Sequence, residues 1–215
     1  MSVVGVIAAG GSGERLGASV PKAFVVLGGR ALYEWSAEVL RGICDRVVVA
    51  APQSTVDSRQ STEFVAGGAS RSASVRNALA AAPEASVVVV HDAARPLVER
   101  DLVERCIAAL GGVEGAIAAA PVTDTVKESD ASGRVVRTLD RSTLWAVQTP
   151  QVFRAEVLRR ALDVDESVLA AATDDASLVE AAGGSIVLVE APRENIKVTT
   201  ELDLRVAEAM LEARC

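Results

Sequence analysis

Basic residues do not dominate this chain, aromatic residues are scarce, and no apolar run is long. Lys and Arg number 22 against 29 Asp and Glu, a formal net charge of −7. Proteins that grip long nucleic acids need a basic face to displace counterions, so no nucleic-acid partner is expected. A small anionic ligand remains open, because a few clustered cations suffice to bind one. No apolar stretch approaches the ~20 residues of a membrane span. No basic region precedes the apolar start, so neither a membrane nor a secretory leader is expected. Cysteine occurs three times, at Cys44, Cys106 and Cys215. An odd count without metal-ligand spacing points to reduced thiols and a cytoplasmic location. Histidine occurs once, at His91, and reads as a packed, hydrogen-bonded residue.

What the sequence does have is small aliphatic residues. Half of its 215 residues are hydrophobic, many of them Ala and Val. The length suits one domain, 1–215, that buries about 70% of the surface its unfolded chain exposes. Val3–Ala8, Val47–Ala51 and Val87–Val90 are short β-branched runs, with Ala116–Ala120 and Ile186–Val189 weaker examples. Such runs fit strands buried on both faces of a parallel sheet. Helical patterns alternate with them over Ala31–Leu40, Ser72–Ala82, Asp101–Leu110 and Ala155–Leu162. Leu32, Trp35 and Val39 form the predicted stripe of the first. A last helix is predicted from Thr200, capped by Thr200 and Asp203, with Leu202, Val206 and Met210 as its apolar stripe. The alternation predicts an α/β fold, Rossmann-like, with a mostly parallel sheet and helices on both faces. One segment breaks it: Thr123–Val136 turns at Asp130-Ala131-Ser132-Gly133 and reads as a hairpin. It predicts a β-arm at about 122–144 that projects from the domain.

The first strand leads into Ala9-Gly10-Gly11-Ser12-Gly13-Glu14-Arg15-Leu16-Gly17, followed by Val20-Pro21-Lys22. Clustered glycines let several N–H groups face one point, a nest for phosphate oxygens. Arg15 can fork onto two oxygens, and Lys22 adds a point charge stiffened by Pro21. A plain flexible turn is the alternative, and the loop matches neither the P-loop nor the dinucleotide fingerprint. Its place at the end of a first strand favours a ligand site. The third strand ends in His91-Asp92-Ala93-Ala94-Arg95-Pro96. Asp92 there is a candidate ligand for Mg²⁺, which takes one or two carboxylates, or else a helix N-cap. Arg95 either steadies Asp92 or touches substrate.

These motifs, in this order, resemble the 2-C-methyl-D-erythritol 4-phosphate cytidylyltransferase family of the non-mevalonate isoprenoid pathway. The resemblance extends through Gly67-Gly68-Ala69-Ser70-Arg71-Ser72-Ala73-Ser74, Thr123–Lys127, Thr149-Pro150-Gln151, Thr173–Ser177 and Asn195–Thr199. It implies transfer of a cytidylyl group from CTP to a small alcohol phosphate, with release of pyrophosphate. Arg15 and Lys22 would stabilise the α-phosphate during attack, and Asp92 would hold magnesium. Gly10, Gly11, Gly68 and Ser74 would line the CTP pocket, with Gly13, Ala93, Arg95, Thr149 and Thr173 also on the binding surface. Arg141 and Lys197, helped by Thr125, would position the acceptor; by position alone each is an ordinary solvated cation. The resemblance also implies a homodimer in which the arm carries Thr125 and Arg141 to the partner's site. Two departures stand out. The usual Ala-Ala-Gly loop start is Ala9-Gly10-Gly11 here, and Ala69 stands where many members carry a polar or acidic residue.

A ribitol 5-phosphate cytidylyltransferase would share this fold and chemistry. A non-catalytic nucleotide-binding regulator would keep the glycine loop but could lose Asp92 or Lys22. A glycosyltransferase would want an Asp-x-Asp pair at a strand end, and Asp163-Val164-Asp165 follows a predicted helix instead.

Overall fold

The aliphatic runs become the middle of a sheet, because a strand covered by helices on both faces must be apolar at every position. The computed structural model describes residues 1–11, 13, 16, 17, 20–55 and 63–214. Its elements are β1 (Val3–Ala8), β2 (Val26–Leu27), β3 (Arg30–Ala31), α1 (Leu32–Arg41), β4 (Arg46–Ala51), β5 (Glu63–Ala66), α2 (Arg71–Ala80), β6 (Val87–Asp92) and α3 (Arg100–Ala108). They continue as β7 (Gly115–Pro121), β8 (Lys127–Ser129), β9 (Val135–Thr138), β10 (Trp145–Arg154), α4 (Ala155–Leu162), α5 (Glu166–Ala171), α6 (Asp175–Ala181), β11 (Ile186–Glu190) and α7 (Glu201–Glu212).

The main sheet has seven strands in the order β11-β7-β10-β6-β1-β4-β5. β1 runs parallel to β4 and β6, β4 to β5, and β7 to β11. Only β10 is antiparallel to its neighbours, β6 and β7. Successive side chains of β1 and β6 point to opposite faces. Val4, Val6, Val88 and Val90 therefore meet Ala73, Leu79, Leu158 and Leu162 of α2 and α4 on one side. Ile7, Val87 and Val89 meet Leu40, Leu102, Val103 and Cys106 of α1 and α3 on the other. Full burial of each such aliphatic side chain is worth about 1.5–3 kcal/mol. Burial also pushes the thiols of Cys44 and Cys106 up to about 12, so both are inert; Cys215 lies outside the described residues.

A third cluster, Leu27, Leu32, Leu97, Val198 and Ala207, seats α7. Here the predicted stripe is corrected. Leu202 is 68% and Val206 38% exposed, and the face that packs is Leu204, Ala207, Met210 and Leu211. Both stripes have helical spacing, and Thr200 caps the helix as predicted, so only the position of the third cluster chooses between them. In α1 the buried side is Leu32, Tyr33, Ser36, Ala37 and Leu40. Trp35 stays half-buried and donates Nε1–H to the Leu27 carbonyl at 3.0 Å.

The sequence did not suggest β10 as a strand. Polar Gln148, Thr149 and Gln151 and the N–H-less Pro150 argue against a central position. The ladder accommodates them by a register shift between Val147 and Gln151, and the Thr149–Pro150 peptide is cis. β8 and β9 form a separate antiparallel pair in which every residue from 127 to 138 is exposed. This is the predicted arm. No described helix is long and apolar enough to cross a membrane.

Candidate active site

Parallel strands deliver their carboxyl ends to one edge, and the chemistry collects there. The chain leaving β1 is tied at once, Ala9 N–H donating to the Ala50 carbonyl at 2.8 Å and Lys22 N–H to the Gly11 carbonyl at 3.1 Å. Gly13 has φ +80°, and a Cβ there would sit 3.2 Å from both the Lys22 nitrogen and the Val20 oxygen. That turn braces the backbone of Lys22, which opens a short turn, Lys22–Phe24, anchored by buried Ala23. A second glycine turn faces it. Gly67 N–H donates to the Ala51 carbonyl at 2.7 Å, and Gly68 N–H donates to Ser74 Oγ at 3.0 Å. Ser74 Oγ–H donates in turn to the Ser70 carbonyl at 2.8 Å, so this hydroxyl fixes the turn. Any Cβ at Gly68 would fall 2.5 Å from Ala73 Cβ and 2.7 Å from the Ala73 carbonyl carbon. Between the two turns lies a cavity of about 310 Å³, bordered by Gly10, Gly11, Lys22, Gly68, Ser74 and Asp92.

Asp92 closes β6 and is 6% exposed. No helix begins at it, since α3 starts at Arg100 behind Glu99, which excludes the N-cap alternative; Arg95 N–H turns back to its carbonyl at 3.0 Å. Arg71 Nε donates to Asp92 Oδ1 at 2.8 Å, and Lys197 Nζ donates to Oδ2 at 2.6 Å. Arg71 Nη1 also donates to Asp175 Oδ2 at 2.6 Å. Burial alone would raise the Asp92 pKa, but the charges of Arg71 and Lys197 outweigh it and hold the carboxyl well below its usual range. Asp175, paired with Arg71, is raised by burial despite that cation.

On the other side of this pair lies a second cavity of about 230 Å³, bordered by Arg95, Gln148, Thr149, Gln151 and Thr173. Arg71, Asp92 and Lys197 border both cavities. His91 braces the partition. Its Nε2 lies 3.0 Å from the Arg95 carbonyl, which can only accept, so that nitrogen carries the proton. Nδ1 then accepts from the Thr149 hydroxyl at 3.0 Å, and Thr149 Oγ1 accepts Asp92 N–H at 3.0 Å. Complete burial lowers the His91 pKa to about 4, which keeps this neutral arrangement.

Most of the predicted residues come together here: Gly10, Gly11, Lys22, Gly68, Ser74, Asp92 and Lys197 at the first cavity, Arg95, Thr149 and Thr173 at the second. Arg15 lies outside the described residues. Ala93 is corrected: it is 2% exposed, packs in the core, and Ala94 takes its place on the wall. Arg95 does not steady Asp92. Its Nη1 donates to the Asn195 carbonyl at 2.7 Å, and Arg71 takes the expected role. Thr125 and Arg141 border neither cavity; both are exposed on the arm, where Arg141 donates to the Thr123 carbonyl. Sequence reasoning missed Arg71 and Asp175. One signal was available: Arg71 is the first residue of α2, where a cation opposes the helix dipole, so another charge must account for it. Among the described residues no three His, Cys, Asp or Glu side chains converge on one point.

The family model described as IspD, 2-C-methyl-D-erythritol 4-phosphate cytidylyltransferase, matches residues 3–213. The chain belongs to that family. A family member from Frankia casuarinae is 47% identical, the match covering 99% of this chain and 82% of that one. One from Nocardia farcinica is 44% identical over 99% of this chain and 95% of its own. Among solved structures, the enzyme of the same name from Thermus thermophilus superposes with a TM-score of 0.84 at 36% identity, covering 99% of this chain and 100% of that one. Every residue that borders the two cavities lies within the matched span.

Proposed function

We propose that this chain carries out its family's reaction, CTP plus 2-C-methyl-D-erythritol 4-phosphate to 4-diphosphocytidyl-2-C-methyl-D-erythritol plus pyrophosphate, with CTP in the glycine-lined cavity and the acceptor in the second. The observation that carries this reading is the shared wall: Asp92 and Lys197 stand where two anionic substrates would have to meet. An acceptor phosphate oxygen forms a bond to the α-phosphorus while the bond to pyrophosphate breaks. A phosphate monoester is already an anionic nucleophile, so positioning and charge neutralisation dominate the work. Lys22, pinned through its backbone, and Arg15 offset charge developing on the α-phosphate. Lys197 orients the acceptor phosphate, and the backbone N–H groups of Gly10 and Gly11 receive phosphate oxygens.

Asp92 fits a magnesium-like ion. Its carboxylate is ionised and borders both cavities. One oxygen accepts from Arg71 and the other from Lys197, which leaves a lone-pair direction on each. Such an ion takes one or two carboxylates and completes its shell with water and phosphate oxygens, neutralising the triphosphate when bound. The exposed arm, with Val135 at 62% and Val136 at 61% exposure, supports a homodimer in which Thr125 and Arg141 reach the partner's acceptor cavity. Buried, unpaired Cys44 and Cys106 support a reducing, cytoplasmic setting.

Mixing two variants, assayed at an acceptor concentration low enough that neither turns over appreciably alone, tests the assignment. Lys22→Ala should lose about a hundredfold to a thousandfold in turnover while melting like the wild type. Arg141→Glu should mainly raise the Michaelis constant for the acceptor. Equal amounts, unfolded and refolded together, should recover about a quarter of wild-type activity, because half the dimers are mixed and each mixed dimer keeps one intact site. No recovery, with dimers verified by sedimentation, removes the shared arm; near-normal turnover of Lys22→Ala alone removes Lys22.

A further inference from the structure

Arg71 touches two carboxylates in this site. Its guanidinium spans Asp92 Oδ1 and Asp175 Oδ2, at 2.8 and 2.6 Å. The side chains become progressively freer along the row: Asp175 is 0%, Asp92 9%, Arg71 26% and Lys197 42% exposed. Three members are therefore held by packing, and Lys197 is the one with room to move. Asp175 sits behind Arg71 on α6, and its Oδ1 is buried without a hydrogen-bond partner. Its strongest attachment is thus to Arg71, which keeps the guanidinium at the back of the site.

We infer that Arg71 is a positioning residue that governs how tightly Asp92 retains Lys197, and so how readily Lys197 is released to an incoming phosphate. A carboxylate shared by two cations grips each less than it would grip one alone. Arg71 cannot leave, because it forks to a second, deeper carboxylate. The acceptor phosphate then competes for Lys197 with a half-neutralised Asp92. Without Arg71 it competes with a full negative charge, and it also meets a wall one charge more negative. This rests on the assignment of Lys197 to the acceptor, and it predicts that the two cations act as a unit, not independently.

A double-mutant cycle reads this out. Acceptor and CTP Michaelis constants and turnover are measured for wild type, Arg71→Gln, Lys197→Gln and the double variant. Arg71→Gln should raise the acceptor Michaelis constant roughly tenfold to a hundredfold, with a smaller change in turnover at saturation, since contacting network members typically couple on that scale. In the Lys197→Gln background the same change should cost less than about threefold. Any general repulsion of CTP by the lost charge is common to both backgrounds and cancels. Equal effects in both backgrounds overturn the inference and leave Lys197's role standing. An unchanged acceptor constant in Lys197→Gln alone overturns that role and the inference with it. If Arg71→Gln melts far below the wild type, Arg71→Lys takes its place: one ammonium cannot span both carboxylates. It should show a smaller rise in the acceptor constant that again vanishes in the Lys197→Gln background, and an undiminished rise there counts against the inference.

Discussion

The two cavities are built by different means. The cavity proposed for the nucleotide is bordered largely by backbone and short side chains from two glycine turns, Gly10 and Gly11 opposite Gly68 and Ser74. The cavity proposed for the acceptor is bordered by longer polar side chains from β6, β10, the turn before α6 and the stretch before α7. The first is shaped by what is missing, since added side-chain atoms would fill or distort it. The second is shaped by hydrogen bonds among residues up to 105 positions apart, such as Lys197 with Asp92. Damage should therefore spread differently in each: sterically and locally in the first, through unpaired polar groups in the second.

Substitutions on each side sharpen that contrast. Gly68→Ala should have the largest effect of three, because the new methyl meets the Ala73 backbone, which cannot rotate away. Overpacking of this kind costs about 1–3 kcal/mol in stability. The distorted turn should also raise the Michaelis constant for CTP while leaving that for the acceptor nearly unchanged; steady-state kinetics with each substrate varied separates the two. Thr149→Val tests the other half. It strips the hydroxyl that bonds both Asp92 N–H and His91 Nδ1, and an orphaned buried group costs about 1–3 kcal/mol. Here the acceptor constant should rise more than the CTP constant, and a reversed order would break the division of labour between cavities.

Asp203→Asn is the smallest perturbation and lies in neither cavity. Asp203 accepts from the N–H groups of Thr199 and Thr200 and from the Thr199 hydroxyl, and these bonds lower its pKa from 3.8 to about 2. Because the folded value is depressed, the stability it adds is present above pH 3.8 and fades as pH falls through about 2. The variant should lose about 1 kcal/mol at neutral pH, as helix-cap changes do. Chemical denaturation at a series of pH values should show the gap from wild type closing on the acid side, with both Michaelis constants unmoved. A gap independent of pH would assign the loss to packing of α7.

Legibility in the sequence follows the same line as the contrast between cavities. β1 and α4 have the bounds their residue patterns predict, Val3–Ala8 and Ala155–Leu162, because period and punctuation are local properties of the chain. The glycine turn after β1 was readable for that reason too, whereas the one before α2 entered only through the family resemblance. β10 was not, since its Gln148-Thr149-Pro150-Gln151 stretch is polar and includes a proline, and the ladder accommodates it with a register shift. The packing face of α7 was misread between two stripes of equal spacing. Arg71 lies inside a recognisable motif yet had no role there, because nothing nearby in sequence shows which carboxylate it will meet.

The order of residues alone thus determined the α/β alternation, the glycine turn after the first strand, the arm, and Asp92 at a strand end. These rest on backbone preference and hydrophobic period, which act over a few residues. Tertiary structure alone decided that Asp92 lies between Arg71 and Lys197, that Asp175 stands behind Arg71, and that His91 is locked to Thr149 and Arg95. Charge pairing and burial depend on which distant segments the sheet order brings side by side, and no local pattern encodes that neighbourhood.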